Sequence, residues 1–272
     1  MAPLRRRLSV TLGFGETHPV RGLVIFRTSD GSSIPSITRM TTFALVHGSW
    51  QGAWCWERLA PLLQQAGHDG VAPDLPCDDG SASFDTYADV VCDALKGCND
   101  DVVLVGHSLA GMTIPLVAAR RPVRQLVYLC GVIPDIGRSM FDQLRDEPML
   151  NPAYVKGLSE PDMQTRTTWV DLKLARQLLF ADCDESTSEA AVNRLGPQAR
   201  YPYSAPFSLA EFPPVCCTYV VCSDDQFVNP EWSRRIARDR LGADLIELPG
   251  SHSPLLSRPS AVADVLLHLA ET

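Results

Sequence analysis

From Thr41 onward the chain alternates short, β-branched apolar runs with longer amphipathic stretches, and this alternation restricts the possible folds more than any other feature. Phe43-Ala-Leu-Val46, Val102-Val-Leu-Val105 and Gln125–Val132 are continuous apolar runs, the pattern of strands covered on both faces. Trp56–Ala66 instead places Leu59, Leu62, Leu63 and Ala66 on one side of a helix, which Gly67 closes. Val71–Pro76 reads as a short strand entering a turn, and Ser83 or Asp85 starts a helix with Tyr87, Val90, Val91 and Ala94 in one stripe. A strand over Cys217–Cys222, a helix from about Pro230 to Leu241 and a strand over Asp244–Leu248 follow. A last helix carries Val262, Val265, Leu266 and Leu269 at helical spacing. Strands separated by helices predict an α/β chain with a mostly parallel, doubly wound sheet.

Two stretches break the pattern. Residues 134–214 hold no convincing strand but carry helical candidates around Ser139–Arg145, Trp169–Phe180 and Ser188–Leu195. A structureless connection of that length is foreign to a compact domain, so the segment reads as a helical cap inserted over the strand ends. Ligands of parallel sheets bind outside the carboxyl ends of the strands, directly below such a cap. Met140, Phe141, Trp169, Leu179, Phe180, Tyr201 and Phe207 are candidates for lining a pocket there, most of them expected to form the cap's own core. Residues 1–40 form the second break. Leu23–Phe26 has strand composition and would pair with residues 8–14, but the favoured reading is a loosely attached, disordered tail ahead of a domain spanning residues 41–272. Arg5-Arg-Arg7 precedes an apolar patch too short and interrupted for a secretory leader.

Composition removes several classes of function. The net charge of −8 offers no basic footprint for nucleic acid or an anionic membrane, and no apolar run is long enough to span a bilayer. Nine cysteines form no C-x-x-C pair, and Cys130, Cys216, Cys217 and Cys222 lie in apolar runs. Reduced thiols and a cytoplasmic setting are expected.

The chemistry centres on Val102-Val-Leu-Val-Gly-His-Ser-Leu-Ala-Gly111. A buried strand breaks at Gly106 and resumes as a helix at Leu109, with Ser108 at the joint. This is the strand–turn–helix context of a nucleophile elbow, although Ala110 stands where a second glycine is usual and Gly111 follows it. A serine hydroxyl needs a base to take its proton, and the base needs a third group to orient it. Downstream of Ser108 the histidines are His252, in a loop after a strand, and His268, beside the apolar stripe of the last helix. His252 is therefore the candidate base. Asp225, just past the strand ending at Cys222, is the preferred acid, ahead of Asp224 and Asp135. The backbone N–H groups of Leu109 and of Ser49, in the loop after the first domain strand, are the candidate oxyanion donors, each worth roughly 3–4 kcal/mol. Gly48 allows close backbone approach, and His47 reads as structural. Gly48, Trp50, His107, Phe141 and Trp169 are the candidate substrate contacts. No metal-ligand cluster or phosphate-cradling glycine loop is present, so neither metal nor organic cofactor is expected.

His47-Gly-Ser-Trp-Gln-Gly-Ala-Trp-Cys-Trp56, Ala72-Pro-Asp-Leu-Pro76, Gly106–Gly111, Ser223-Asp-Asp-Gln-Phe-Val228 and Gly250-Ser-His252 together resemble the α/β-hydrolase superfamily. Within it the chain is similar to the branch of plant methylesterases, hydroxynitrile lyases and bacterial esterase relatives, from about Thr42 to the C-terminus. That resemblance implies an α/β-hydrolase fold and a Ser108–His252–Asp225 triad. Cyanohydrin-cleaving members of the branch carry threonine where this chain has Gly48, and lysine where it has Ser253. Hydrolysis of a small to medium apolar carboxylic ester is thus the leading expectation, with a small-molecule ester as partner and the oligomeric state left open. A lyase or cofactor-free oxidative enzyme on the same fold, a non-catalytic small-molecule receptor, and a scaffold protein with an idle pocket are the alternatives.

Overall fold

The computed structural model describes residues 22–27 and 40–272. Its strands are β1 (Leu23–Phe26), β2 (Thr42–Val46), β3 (Asp69–Pro73), β4 (Val102–His107), β5 (Gln125–Leu129), β6 (Arg166–Thr167), β7 (Gln198–Ala199), β8 (Cys216–Cys222) and β9 (Asp244–Leu248). Seven of them form one sheet in the order β1-β3-β2-β4-β5-β8-β9, parallel except for β1. From β2 the chain steps outward to β3, then crosses back to β4 on the other side of β2. The sheet's switch point therefore lies between β2 and β4, where Val46 pairs with Gly106.

Every residue of β2 and β4 is buried, which explains their uninterrupted apolar sequence. Truncating a fully enclosed side chain here, such as Leu104→Ala, is expected to cost about 2–5 kcal/mol through lost burial and the residual cavity. Helices α1 (Ala60–Gln65) and α10 (Pro259–Glu271) pack on each other, as do α2 (Phe84–Ala94) and α3 (Ile114–Ala118), while α8 (Pro230–Leu241) covers β8 and β9. The start of α2 is set by Ser83, whose hydroxyl accepts from Thr86 N–H while the Thr86 hydroxyl accepts from Ser83 N–H. Gly242, in the left-handed conformation with φ of 57°, ends α8.

Leu23–Phe26 differs from the tail reading. It forms the antiparallel edge strand against β3, with Leu23 opposite Pro73 and Phe26 opposite Gly70. The Phe26 ring lies where a Cβ on residue 70 would sit, so a glycine in the neighbouring strand lets this edge close. The suggested partner, residues 8–14, and the rest of the expected tail lie outside the described residues.

Between β5 and β8 sits the helical cap: α4 (Met140–Asp146), a 3-10 turn over Pro152–Gly157, α5 (Leu172–Leu179), α6 (Glu185–Val192), α7 (Tyr201–Ser204) and the two-residue ladder of β6 with β7. Its helices start at side-chain caps, Ser139 for α4, Asp171 for α5 and Asp184 for α6. The cap is tied to the sheet rim through backbone bonds from Asn151 N–H to the Phe227 carbonyl (2.8 Å) and from Asn229 N–H to the Met149 carbonyl (2.9 Å). All nine cysteines are free thiols. Among the described residues no helix is long and apolar enough to cross a membrane.

Candidate active site

The sheet's switch point carries the serine. β4 ends at His107, and Ser108 takes φ of 53°, a left-handed conformation costing a non-glycine residue about 1–2 kcal/mol. Surrounding contacts hold it there. The Ser108 carbonyl accepts from Val132 N–H at 2.9 Å. A Cβ on Gly106 would lie 2.9 Å from Ile114 Cγ2 and 3.0 Å from the Ala110 carbonyl, and one on Gly111 would collide with the Val132 carbonyl. The crowding that demands a glycine falls on 106 and 111, so Ala110 is tolerated.

His252 stands in the loop after β9, fully buried. Its Nδ1–H donates to Asp225 Oδ2 at 2.8 Å, and its Nε2 lies 3.0 Å from Ser108 Oγ, placed to accept the hydroxyl proton. The second Asp225 oxygen accepts from the N–H groups of Phe227 (2.8 Å) and Val228 (3.0 Å), so the carboxylate cannot rotate away. Asp224, the competing acid, points elsewhere and accepts from Gly250 N–H and the Ser223 hydroxyl, which fastens the His252 loop. Gly250, at φ of 123°, turns that loop. Asp135 is engaged with Arg138 and Arg240, and His268 is exposed on α10.

The loop after β2 meets the serine from the side. A Cβ on residue 48 would sit 2.7 Å from Ser108 Cβ and 3.3 Å from its Oγ, so only glycine fits without movement. His47 anchors this loop from beneath: its Nδ1–H donates to the Gly48 carbonyl and its Nε2 accepts from Leu75 N–H, both at 2.9 Å. Leu109 opens a helix, so its N–H has no intrahelical acceptor. Leu109 and Ser49 both line a cavity of about 230 Å³ together with Ser108.

That cavity runs from Ser108 into the cap, between Trp50, Val132, Met140, Phe141, Leu144, Leu150, Tyr154, Tyr203 and Phe227. Of the expected substrate contacts, Trp50 and Phe141 line it, and Gly48 abuts the serine from behind the wall. His107 and Trp169 do not. His107 precedes Ser108 by one position and therefore points to the opposite side of its strand. It is fully buried, its Nε2–H donating to the His252 carbonyl at 2.8 Å and its Nδ1 facing the Gln51 amide at 3.0 Å. Burial, and then the neighbouring His252, push its imidazole well below the usual histidine range. It is a neutral prop for the loop that holds His252. Trp169 packs edge-on against Trp50 at 5.6 Å between ring centres and closes over Gly157, so it supports the cavity wall from outside. Leu179, Phe180 and Phe207 belong to the buried core, and Tyr201 is exposed.

Tyr203, which is not among the expected contacts, lines the cavity and shares a 2.8 Å hydrogen bond with the Ser49 hydroxyl. Tyr201 and Tyr203 flank one proline, and nothing in that local pattern says which ring turns inward. Cys130, expected as a buried hydrophobe, sits beside Asp225 and His252, its sulfur within 4.8 Å of their ligand atoms. A hydrogen bond with Cys222, and burial, push this thiol well up, so it is a protonated packing group; the other two residues are already bonded to each other.

A mostly parallel sheet with a serine on a strained turn at the switch point, a histidine–aspartate pair reaching it from later strands, and a cap above defines the α/β-hydrolase fold. The chain belongs to the alpha/beta hydrolase family, whose sequence profile matches residues 43–265. It is 27% identical to methylesterase 7 of Arabidopsis thaliana over 262 residues, covering 84% of this chain and 96% of the relative. It is equally 27% identical to the alpha-hydroxynitrile lyase of the same plant, covering 84% of this chain and 96% of the relative. The solved structure of a pyrethroid hydrolase from Sphingobium faniae superposes with a TM-score of 0.74 at 23% identity, covering 86% of this chain and 98% of that one.

Proposed function

We propose that the protein is a serine hydrolase that cleaves a small to medium apolar carboxylic ester through an acyl-enzyme. The observation that carries this reading is His252 bridging Ser108 (3.0 Å) and Asp225 (2.8 Å) beside a mostly apolar cavity whose lining also includes Glu160, Gln198 and Arg200. Ser108 Oγ attacks the ester carbonyl carbon as its proton passes to His252 Nε2. The carbonyl π pair moves onto oxygen, which the N–H groups of Ser49 and Leu109 receive. Collapse of the tetrahedral adduct breaks the bond to the alcohol, which leaves with the proton from His252. Water then attacks the acyl-enzyme by the same steps, and His252 returns a proton to Ser108. Asp225 keeps the imidazole in the Nδ1–H tautomer and stabilises the imidazolium.

Cyanohydrin cleavage is the second reading, and a relative with that name stands at the same identity as the methylesterase. Similarity therefore does not separate the two, and the local geometry favours the ester. The threonine that the lyase branch places at position 48 would drive its Cβ into the nucleophile here. Ser253, where that branch has lysine, is fully buried in the turn leading to a short helix, α9 (Pro254–Ser257), so it offers no cation to a leaving cyanide. The test is a product assay on p-nitrophenyl and methyl esters of increasing acyl length beside aromatic and aliphatic cyanohydrins. Acid release from esters, with no aldehyde release from cyanohydrins, is expected. Aldehyde and cyanide as the faster products would reject the ester reading.

A further inference from the structure

We propose that the Ser49 side chain is a third hydrogen-bond donor to the oxygen of the attacked carbonyl, and that Tyr203 of the cap holds and polarises it. The inference rests on the ester-hydrolase reading and adds to the two backbone donors a side chain that reading does not need. Ser49 Oγ and Tyr203 OH lie 2.8 Å apart, and among the described residues neither hydroxyl has another hydrogen-bond partner. One shared bond between two hydroxyls uses one proton and leaves the other unengaged, in a pair that lines the same cavity as Ser108 and Leu109.

Acidity decides which proton is free. A phenol, with an ordinary pKa near 10, is a stronger donor than an aliphatic alcohol, and the alcohol oxygen is the better acceptor. Burial pushes the Tyr203 phenol further up, so it keeps its proton at any working pH. The favoured polarity is therefore Tyr203 O–H donating to Ser49 Oγ, with Ser49 O–H directed to a cavity guest. Donation from the phenol also polarises that second O–H, because linked hydrogen bonds reinforce one another.

Placement supports the same assignment. Ser49 follows Gly48, whose backbone presses on Ser108, so the Ser49 hydroxyl belongs to the loop that already carries an oxyanion donor. The Tyr203 ring is stacked on Phe141 at 5.7 Å and meets Phe84 edge-on at 6.3 Å, which fixes its hydroxyl before any substrate arrives. A donor fixed in advance stabilises developing charge without reorganising during the reaction. No proton leaves Ser49: the Ser108 proton goes to His252, the new bond is Oγ to carbonyl carbon, and the oxyanion accepts from Ser49 O–H. Ser49 is then a catalytic residue and Tyr203 a positioning residue that acts through it.

The experiment measures kcat and KM on p-nitrophenyl butyrate, and the second-order rate of Ser108 phosphonylation by a fluorophosphonate, for Ser49→Ala, Ser49→Thr, Tyr203→Phe and the S49A/Y203F double variant. Ser49→Ala retains its backbone N–H, so only the hydroxyl is lost. It is expected to lower kcat about 100-fold or more with KM little changed, in the range seen for single oxyanion donors. Ser49→Thr restores most of that loss, Tyr203→Phe costs about 3- to 10-fold, and the double variant behaves like Ser49→Ala. Full kcat in Ser49→Ala, a Tyr203→Phe loss as large as that of Ser49→Ala, or an effect confined to KM would overturn the proposal. If the wild-type protein turns over no ester, the hydrolase reading fails by itself. Phosphonylation, which also presents an oxygen to the same donors, then still reads the hydroxyl: the same ranking supports it, and equal rates in all variants reject it.

Discussion

The rim of the sheet and the cap above it follow opposite rules. At the rim, backbone conformations are strained and the polar side chains are tied in more than one direction. Ser108 and Trp50 both adopt positive φ, Asp225 accepts three hydrogen bonds, and His252 is held through Nδ1, Nε2 and its carbonyl. In the cap, capped short helices present apolar side chains, and Val155, Met163 and Val170 remain exposed. The contrast separates two tasks. Under the proposed hydrolysis, proton transfer, which tolerates little displacement, falls to the strand ends, and the choice of substrate to cap side chains that can change without disturbing those ends.

Substitutions at the rim and in the cap should therefore differ in kind as well as in size. Ser108→Ala is expected to lower kcat by on the order of a millionfold while leaving the circular dichroism spectrum intact. Asp225→Asn, which keeps the shape but presents the wrong hydrogen-bonding partner to Nδ1, should cost about 10⁴-fold in kcat. Gly48→Thr forces a Cβ against Ser108, and a shift of about an ångström at the nucleophile is enough for roughly a hundredfold loss. Ester turnover unharmed by that change would dissolve the boundary between the two regions. In the cap, Phe141→Ala should raise KM for longer acyl chains about 5- to 10-fold with kcat nearly constant, since it removes apolar contact shared by ground and transition states. A fall in kcat without a rise in KM would mean that the cap takes part in chemistry at that ring as well.

The smallest expected effect concerns pH. His107 is buried and neutral, with its folded-state pKa well below the roughly 6.5 of an exposed imidazole. Below that value the unfolded chain takes up a proton that the folded one refuses, so this residue's contribution is full at pH 7 and declines as pH falls through 6 toward the folded pKa. The urea midpoint should fall between pH 7 and pH 5, and His107→Asn should lose part of that dependence. An unchanged slope in the variant would place the titration elsewhere.

Much of this architecture is legible in the amino-acid sequence. The strands from Phe43, Val102, Gln125 and Cys217 emerge because strands buried over most of their length carry few polar residues to confuse the pattern, whereas the edge strand Asp244–Leu248, exposed at Asp244 and Glu247, emerges from its place in the alternation with helices. The serine, histidine and acid that lie within hydrogen-bonding distance of one another each follow a strand that the sequence marks. Leu23–Phe26 reads as tail because its partner is β3, 44 to 50 positions away, and a glycine that accepts a phenylalanine ring leaves no mark in local periodicity. Nearness to Ser108 puts His107 among the expected substrate contacts, although alternation along a strand sends it to the other side. Trp169 and Tyr203 are hidden for a different reason. Inside a cap of short, irregular helices, burial alone does not say whether an aromatic ring faces the cavity or the wall behind it.

Both regions take their meaning from Ser108 being a nucleophile activated by His252. Labelling of the intact protein with a fluorophosphonate, followed by peptide mapping and ester turnover on the same sample, measures this most directly. A single adduct on the peptide containing Ser108 is expected, with turnover lost in proportion to labelling and no adduct in Ser108→Ala or His252→Ala. Turnover that persists after Ser108 is fully labelled, or an adduct on another residue with Ser108 unmodified, would contradict it.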